Sequence, residues 1–428
     1  MRDALDRLER DHEISAVLFA GGEEKVRAAV LDDPATHYGR PVTMPGGDVV
    51  RSLRNLASGG TAELVIDLSG DPVLGPEDRM WLAAVSVGSG LEYRAPGMRL
   101  TPPLQEHVPG APVVSVIGTG KRVGKTALGG HLATLLRARG DRPVIVSMGR
   151  GGPAEPQVMP AGEAPDAAGL LELARGGSHA ASDYLEDAVL TGVATVGCRR
   201  CGEGPAGEVL DSNTVAGVRL AMALDPSLVV LEGSGSGIPP VAADRTVCVA
   251  GTHGMRAGGI APLTAARLLR SQLVVLLGAD ALPEAERRAL MGELRDWSDG
   301  GAAIASRLVP EPATPVPSGA RVALFSTVRE EALGAVGDEL REQGLEIAVA
   351  SANLARWEAL ERDLDSAAAA GCDVYLTELK AAAIDTVAER AQTAGAEIVF
   401  LRHRPRNLPG EPDLDGALLA LCAAVVPA

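Results

Sequence analysis

VVSVIGTGKRVGKT, residues 113 to 126, decides the fold. The apolar β-formers Val113, Val114, Val116 and Ile117 run into a glycine-rich turn, which ends in Gly124-Lys125-Thr126 at the head of a helix. That is the build of a phosphate-binding loop. Backbone N–H groups wrap a nucleotide's phosphates, the lysine reaches the β/γ oxygens, and the threonine hydroxyl faces Mg²⁺. The cradle is expected to comprise Gly118, Thr119, Gly120, Lys121, Arg122, Val123, Gly124, Lys125 and Thr126. The common pattern G-x-x-x-x-G-K-[ST] asks for glycine where this chain has Thr119, with Gly118 and Gly120 on either side. Leu128, Leu132, Leu135 and Leu136 follow at helical spacing, so strand, loop and helix agree.

The runs VVSVIG, RPVIVSMG, SLVVLEG, RTVCVAG and QLVVLLG are continuous and apolar. Such runs suit parallel strands covered on both faces. With alternating helices they predict a central doubly wound α/β domain with a parallel sheet, flanked by smaller N- and C-terminal α/β domains. Two proline-bearing stretches, residues 101–112 and 308–319, read as connections. The expected division is 1–108, 109–305 with the loop, and 306–428. ISAVLFAGG and AELVIDLSG are strand runs of the first segment; RVALFST, LEIAVASA, CDVYLTEL and AEIVFLRH are those of the third.

No apolar run approaches the ~20 residues that span a membrane, and MRDALDRLERDHE lacks the apolar core of a signal peptide. A cytoplasmic protein is expected. The net charge of −16 argues against nucleic acid as a main partner. It also means that a polyanionic ligand needs positive charge gathered at its site. Five scattered cysteines do not suggest a disulfide framework.

Chemistry-bearing residues cluster at strand ends, where open α/β sheets place ligands. Leu228–Leu231 runs into Glu232 and a glycine turn, and a carboxylate there holds Mg²⁺ or its water in phosphate-loop enzymes. The plainer alternative is a helix-cap acid. Arg150 lies in Met148-Gly149-Arg150-Gly151-Gly152, and Arg199-Arg200 lies between glycines in GCRRCG. Adjacent arginines suit bidentate binding of phosphate oxygens; the plainer reading is solvated surface arginine. Cys198-x-x-Cys201 has zinc-ligand spacing but no second pair, so inert thiols are expected. His253 or Arg256 is a candidate for reaching a transferring phosphoryl group. Glu378-Leu379-Lys380 and Arg402–Arg406 read as anion contacts from a closing domain or as a charged rim. Asp67–Asp71 reads as an ordinary turn or a ligand contact. There is no N-K-x-D, HExxH, G-x-S-x-G or kinase catalytic-loop pattern.

GTGKRVGKT with a strand-end EG resembles the dethiobiotin synthetase and cobyrinate amidase branch. A closer likeness extends further. GTGKRVGKTA, SMGRGGPAEPQV, VGCRRCGEGPAGEVLDSN, LTELKAAAIDTV and DLSGDPVL together look like the cyclic 2,3-diphosphoglycerate synthetase family. The resemblance implies ATP-dependent joining of the two phosphates of 2,3-diphosphoglycerate into an intramolecular pyrophosphate, releasing ADP and phosphate. It implies nucleotide and Mg²⁺ roles for Lys125, Thr126 and Glu232. Catalysis is expected to rest on Lys125, Arg150, Arg199, Arg200 and Glu232, in a homodimer. The competing readings are a carboxylate-activating ligase of the dethiobiotin or cobyrinate kind and a nucleotide-switched ATPase.

Overall fold

A computed structural model describes residues 1–60, 62–177, 180–252, 259–381 and 383–425. The candidates His253 and Arg256 lie outside the described residues.

Eleven strands carry the central sheet and its C-terminal continuation. They are β1 (Val113–Gly118), β2 (Pro143–Gly149), β3 (Ala194–Cys201), β4 (Leu228–Glu232), β5 (Arg245–Gly251), β6 (Leu273–Leu277), β7 (Ala303–Pro312), β8 (Arg321–Phe325), β9 (Glu346–Ser351), β10 (Val374–Glu378) and β11 (Glu397–Asn407). Their spatial order is β3-β2-β4-β1-β5-β6-β7-β11-β10-β8-β9, with the short strands Gln157–Met159 and Asp211–Ser212 both antiparallel to β3. The chain leaves β1 to one side for β2–β4 and to the other for β5–β7. This opens a crevice at the carboxyl ends of β1 and its neighbours.

Side chains alternate across each strand, so both faces of the sheet are apolar. Val114, Val116 and Val230 meet Leu128, Leu132 and Leu136 of α1 (Lys125–Ala138). Val113, Val229 and Leu231 meet Val218 and Ala221 of the helix Thr214–Met222 on the other face. The last helix, Leu414–Ala423, returns to cover α1 through Leu414, Leu418 and Cys422.

The third segment is welded to the second. Ser306–Pro312 of β7 pairs antiparallel with Leu401–Asn407 of β11, residue against residue. The stretch 308–319 is therefore strand up to Pro312 and not a connection throughout, and the 305/306 border falls inside β7. Prolines are tolerated there because β6 pairs only with Ala303–Ser306. Beyond that point one edge of β7 lacks a partner strand among the described residues, so a missing N–H breaks no ladder.

The N-terminal segment has a small sheet of Leu64–Ile66, Glu92–Ala95 and Met98–Leu100. Its helix Pro76–Gly88 lies on the helix Pro262–Leu268, and Trp81 stacks on Trp297 with centroids 5.2 Å apart. Asp67 is engaged at home. It accepts from the Ser69 N–H at 2.7 Å, the Ser69 hydroxyl at 2.5 Å and the Tyr93 hydroxyl at 2.7 Å, and it pairs with Arg79 at 3.3 Å. Burial opposes ionisation of Asp67, but the Ser69 and Tyr93 hydrogen bonds and Arg79 win and hold its carboxyl below the ordinary 3.8. A carboxyl depressed by folding stabilises above its unfolded pKa, and that stability is lost as pH falls through the folded value. Tyr93→Phe should cost about 1–3 kcal/mol at neutral pH. The gap in melting temperature from the unaltered chain should narrow below pH 3.8. A gap independent of pH would remove Asp67 from the account.

Candidate nucleotide and phosphoryl-transfer site

The loop closes β1 and opens α1. The Thr119 N–H donates to Val249 O at 3.0 Å, tying the first turn to β5. The left-handed non-glycine position in the loop is Arg122, with φ +58°. Thr119 is not in that region, which is why a β-branched residue stands where the common pattern has glycine. Gly124 caps α1 at φ +98°, and a Cβ there would lie 2.5 Å from Leu277 Cδ1. The free N–H groups of α1's first turn face the loop, as an anion site requires.

Lys125 is buried and donates to two carbonyls, Gly120 O at 2.7 Å and Gly235 O at 2.8 Å. Burial pushes its ammonium down to about 8, against the attraction of Glu232. Glu232 ends β4, is itself buried, and its Oε1 has no hydrogen-bond partner among the described residues. Burial, then Asp183 and Glu186, push its carboxyl up to about 8. Room for it comes from α1: a Cβ on Gly129 would sit 1.8 Å from Glu232 Oε1.

One group of site residues escaped the sequence reading. The helix α2 (Asp183–Thr191) carries Asp183, Glu186 and Asp187 at i, i+3 and i+4, one face of a helix. Asp187 accepts from the Ser147 hydroxyl near the end of β2 at 2.6 Å, and burial, then Glu232, raise its carboxyl well above the usual range. Glu186 pairs with Lys380 of the C-terminal segment at 3.1 Å. Burial pushes Glu186 up to about 7 although Lys380 opposes it. The signal was present in D-x-x-E-D after the MGRGGP turn.

The two adjacent arginines part company. GCRRC is strand, so Arg199 and Arg200 point to opposite faces. Arg199 is exposed and its Nε donates to Gly152 O at 2.8 Å. Arg200 has no exposed side-chain surface. It pairs with Glu203 at 2.8 Å and donates to Ser234 O at 2.9 Å and Gly202 O at 3.2 Å. The expectation that both arginines meet a phosphate together is corrected: Arg200 braces the turn whose Gly235 carbonyl receives Lys125. Arg150 is exposed after β2. Burial opposes ionisation of Glu203, yet Ser236, Arg200 and Arg150 hold its carboxyl low. Lys121 and Arg122 are exposed on the loop. The strand also separates the Cys198-x-x-Cys201 pair, one thiol buried and one exposed. Burial pushes Cys198 up to about 12.

A cleft of ≈ 260 Å³ runs from Thr126 along α1, between α2 and β11, and is lined also by Glu186, Lys380, Arg402, His403 and Arg404. Arg402 is paired with Glu311 at 2.8 Å and Arg404 with Asp415 at 3.9 Å, so this cluster is largely neutralised. Arg406 is exposed. No helix of the described residues is long and apolar enough to cross a membrane.

A phosphate loop entering α1, with a buried carboxylate at the end of the neighbouring strand, defines a doubly wound P-loop nucleotide-binding protein. Three family models match: cyclic 2,3-diphosphoglycerate synthetase N-terminal domain over residues 1–101, P-loop domain over 113–281 and C-terminal domain over 312–404. The cyclic 2,3-diphosphoglycerate synthetase of Rubrobacter xylanophilus is 41% identical over 413 residues, covering 96% of this chain and 90% of the relative. That of Thermococcus gammatolerans is 37% identical over 421 residues, 98% of this chain and 93% of the relative. Among solved structures, LpxK from Aquifex aeolicus in complex with ATP covers 76% of this chain and 91% of its own at 14% identity, with a TM-score of 0.45. The chain belongs to the cyclic 2,3-diphosphoglycerate synthetase family.

Proposed function

We propose that this chain uses ATP to close 2,3-diphosphoglycerate into its cyclic pyrophosphate, with release of ADP and phosphate. The observation that carries this is charge placement. A polyphosphate cradle built on Lys125 lies at one strand end, and the exposed cations Arg150 and Arg199 stand at the mouth formed by β2 and β3. The relatives are named as synthetases of cyclic 2,3-diphosphoglycerate, and an acceptor with two phosphates fits such a mouth. Two unit charges 4 Å apart repel by about 4 kcal/mol at an effective dielectric near 20. Several such pairs would bar a diphosphate and ATP from meeting on an acidic protein without local cations.

The phosphates of the nucleotide lie against the loop N–H groups and Lys125, which leaves the Gly120 and Gly235 carbonyls to reach them. Thr126 and Glu232 would hold Mg²⁺; the unpartnered Oε1 of Glu232 fits that use. Among the described residues no cluster of three or more His, Cys, Asp or Glu forms a closed cage, so phosphates and water would supply the remaining ligands. When bound, the cation supplies charge neutralisation to the phosphates. Arg150 and Arg199 orient the acceptor. One acceptor phosphate takes the γ-phosphoryl group, the neighbouring phosphate attacks the new anhydride, the ring closes, and inorganic phosphate leaves. Intramolecular attack in a fixed geometry reaches effective molarities of roughly 10⁵–10⁸ M, so no protein nucleophile is required. A cytoplasmic location, where ATP is abundant, and a homodimeric assembly complete the reading; light scattering checks the assembly.

Phosphorus NMR of the full chain with ATP, Mg²⁺ and 2,3-diphosphoglycerate should show cyclic pyrophosphate resonances with one ADP per ring. ADP and phosphate with no new anhydride would replace this reading with a nucleotide switch. An ATP-dependent amide product would replace it with a ligase.

A further inference from the structure

Of 40 basic side chains only four are lysines: Lys25, Lys121, Lys125 and Lys380. The chain fills cationic positions with arginine by default. Two of the exceptions stand in the phosphate loop and Lys25 is an exposed surface residue. Lys380 has neither excuse. It stands just past β10 in the C-terminal segment, half-buried, in the same cleft as Thr126. An ammonium is a compact point charge with three rotatable donors, and a guanidinium fork does not replace it where the space is small.

The backbone around it is bent to aim it. The Lys380 N–H donates to Glu378 O at 2.9 Å, Ala381 is left-handed at φ +48°, and Ala383–Ala388 is a π-helix. A non-glycine residue in that region costs free energy and persists only where its surroundings over-determine it, and π-turns gather at functional sites. The base is anchored: Glu378 accepts from Ser326 Oγ at 2.6 Å, Thr327 Oγ1 at 2.6 Å and the Thr327 N–H at 3.2 Å, and it lies 3.1 Å from His403 Nε2. The tip reaches Glu186 at 3.1 Å, on the acidic face of α2 beside Asp187 and Glu232.

We propose that Lys380 is a catalytic cation contributed by the C-terminal segment, held against Glu186 and donating to the transferred phosphoryl group during the reaction. This rests on the function proposed above. An oxygen of the acceptor phosphate forms a bond to the γ-phosphorus. The bond from the γ-phosphorus to the β,γ-bridging oxygen breaks, and ADP leaves with that electron pair. Lys380 keeps its proton throughout and stabilises charge on the peripheral oxygens, opposite Lys125. It explains why the C-terminal segment is fixed to the sheet rather than hinged: a preorganised donor loses nothing to reorganisation at the moment of reaction.

The test compares Lys380→Met, Lys380→Arg and the charge-balanced pair Lys380→Met with Glu186→Gln in the full chain. ADP release and ATP dissociation constants are measured for each. Lys380→Met should lower kcat about a hundredfold or more and leave ATP affinity within about threefold. Lys380→Arg should recover part of the rate, and the balanced pair should fold yet stay as slow as Lys380→Met. Recovery of kcat by the balanced pair would reduce Lys380 to a counter-ion for Glu186 and overturn the proposal, and so would an unchanged kcat in Lys380→Met. The comparison is a ratio of ADP release rates, so it can be read with any acceptor that supports turnover, water included. Product identity by phosphorus NMR reports separately on the functional reading.

Discussion

Gly129→Ala should lower turnover about a hundredfold or more, although it replaces a helix-interior glycine with the best helix former. Propensity alone favours the change by about 1 kcal/mol. The obstacle is Glu232, whose Oε1 would lie 1.8 Å from the new methyl carbon. No real contact is that short. Glu232 is buried at the end of β4, so it can yield only by leaving the place from which it would hold Mg²⁺. Losing one preorganised electrostatic group at a reacting phosphate costs about 10²–10³ in rate. Gly334→Ala is the control. It lies in the helix Glu330–Glu342 with nothing within 4 Å of the added carbon, and should stabilise by about 0.5–1 kcal/mol with activity intact. ADP release and thermal melts on both variants decide the matter; Gly129→Ala working within threefold of the unaltered chain would show that Glu232 is not fixed by α1.

Arg199→Ala and Arg200→Ala should behave as different kinds of change. Arg200 is fully enclosed, and its removal leaves Glu203 without its closest cation and the turn at Ser234 without its brace. Breaking a buried pair costs about 3–5 kcal/mol. The same turn presents the Gly235 carbonyl to Lys125, so ATP affinity should fall with stability. Arg199→Ala should leave the melting temperature nearly unchanged and raise KM for the acceptor alone. Isothermal titration with ATP, paired with melts, reads both. Equal melting temperatures for the two variants would sink the assignment of Arg200 to the scaffold.

Much of this was legible in the chain. Five continuous apolar runs gave the parallel sheet, because burial on both faces leaves no alternation to confuse the reading. The loop and Glu232 were legible for a related reason, since strand ends are where such sheets keep their ligands. What escaped was whatever depends on facing. Asp183, Glu186 and Asp187 become a site only when α2 turns one side toward Glu232; D-x-x-E-D places them on one helix face but does not say what that face meets. Arg199 and Arg200 read as a pair because they are adjacent between glycines; a strand sends neighbours apart. The prolines at 310 and 312 read as part of a connection, because their tolerance within a strand depends on which edge of β7 is bare, a fact of three dimensions.

The pairing of β7 with β11 has a consequence for how the chain can be divided. Family boundaries fall near it, yet cutting there would not yield two tidy modules. A chain severed after Pro312 would strip β7 of the partner it holds along Ser306–Pro312, and the remaining piece would carry β11 with a raw margin of unpaired N–H and C=O groups. Such margins recruit strands from other molecules. The nucleotide half would also be left without Lys380, a charged tip that crosses to α2 from beyond the joint. Sequence families count three parts in this protein; its sheet counts the last two as one.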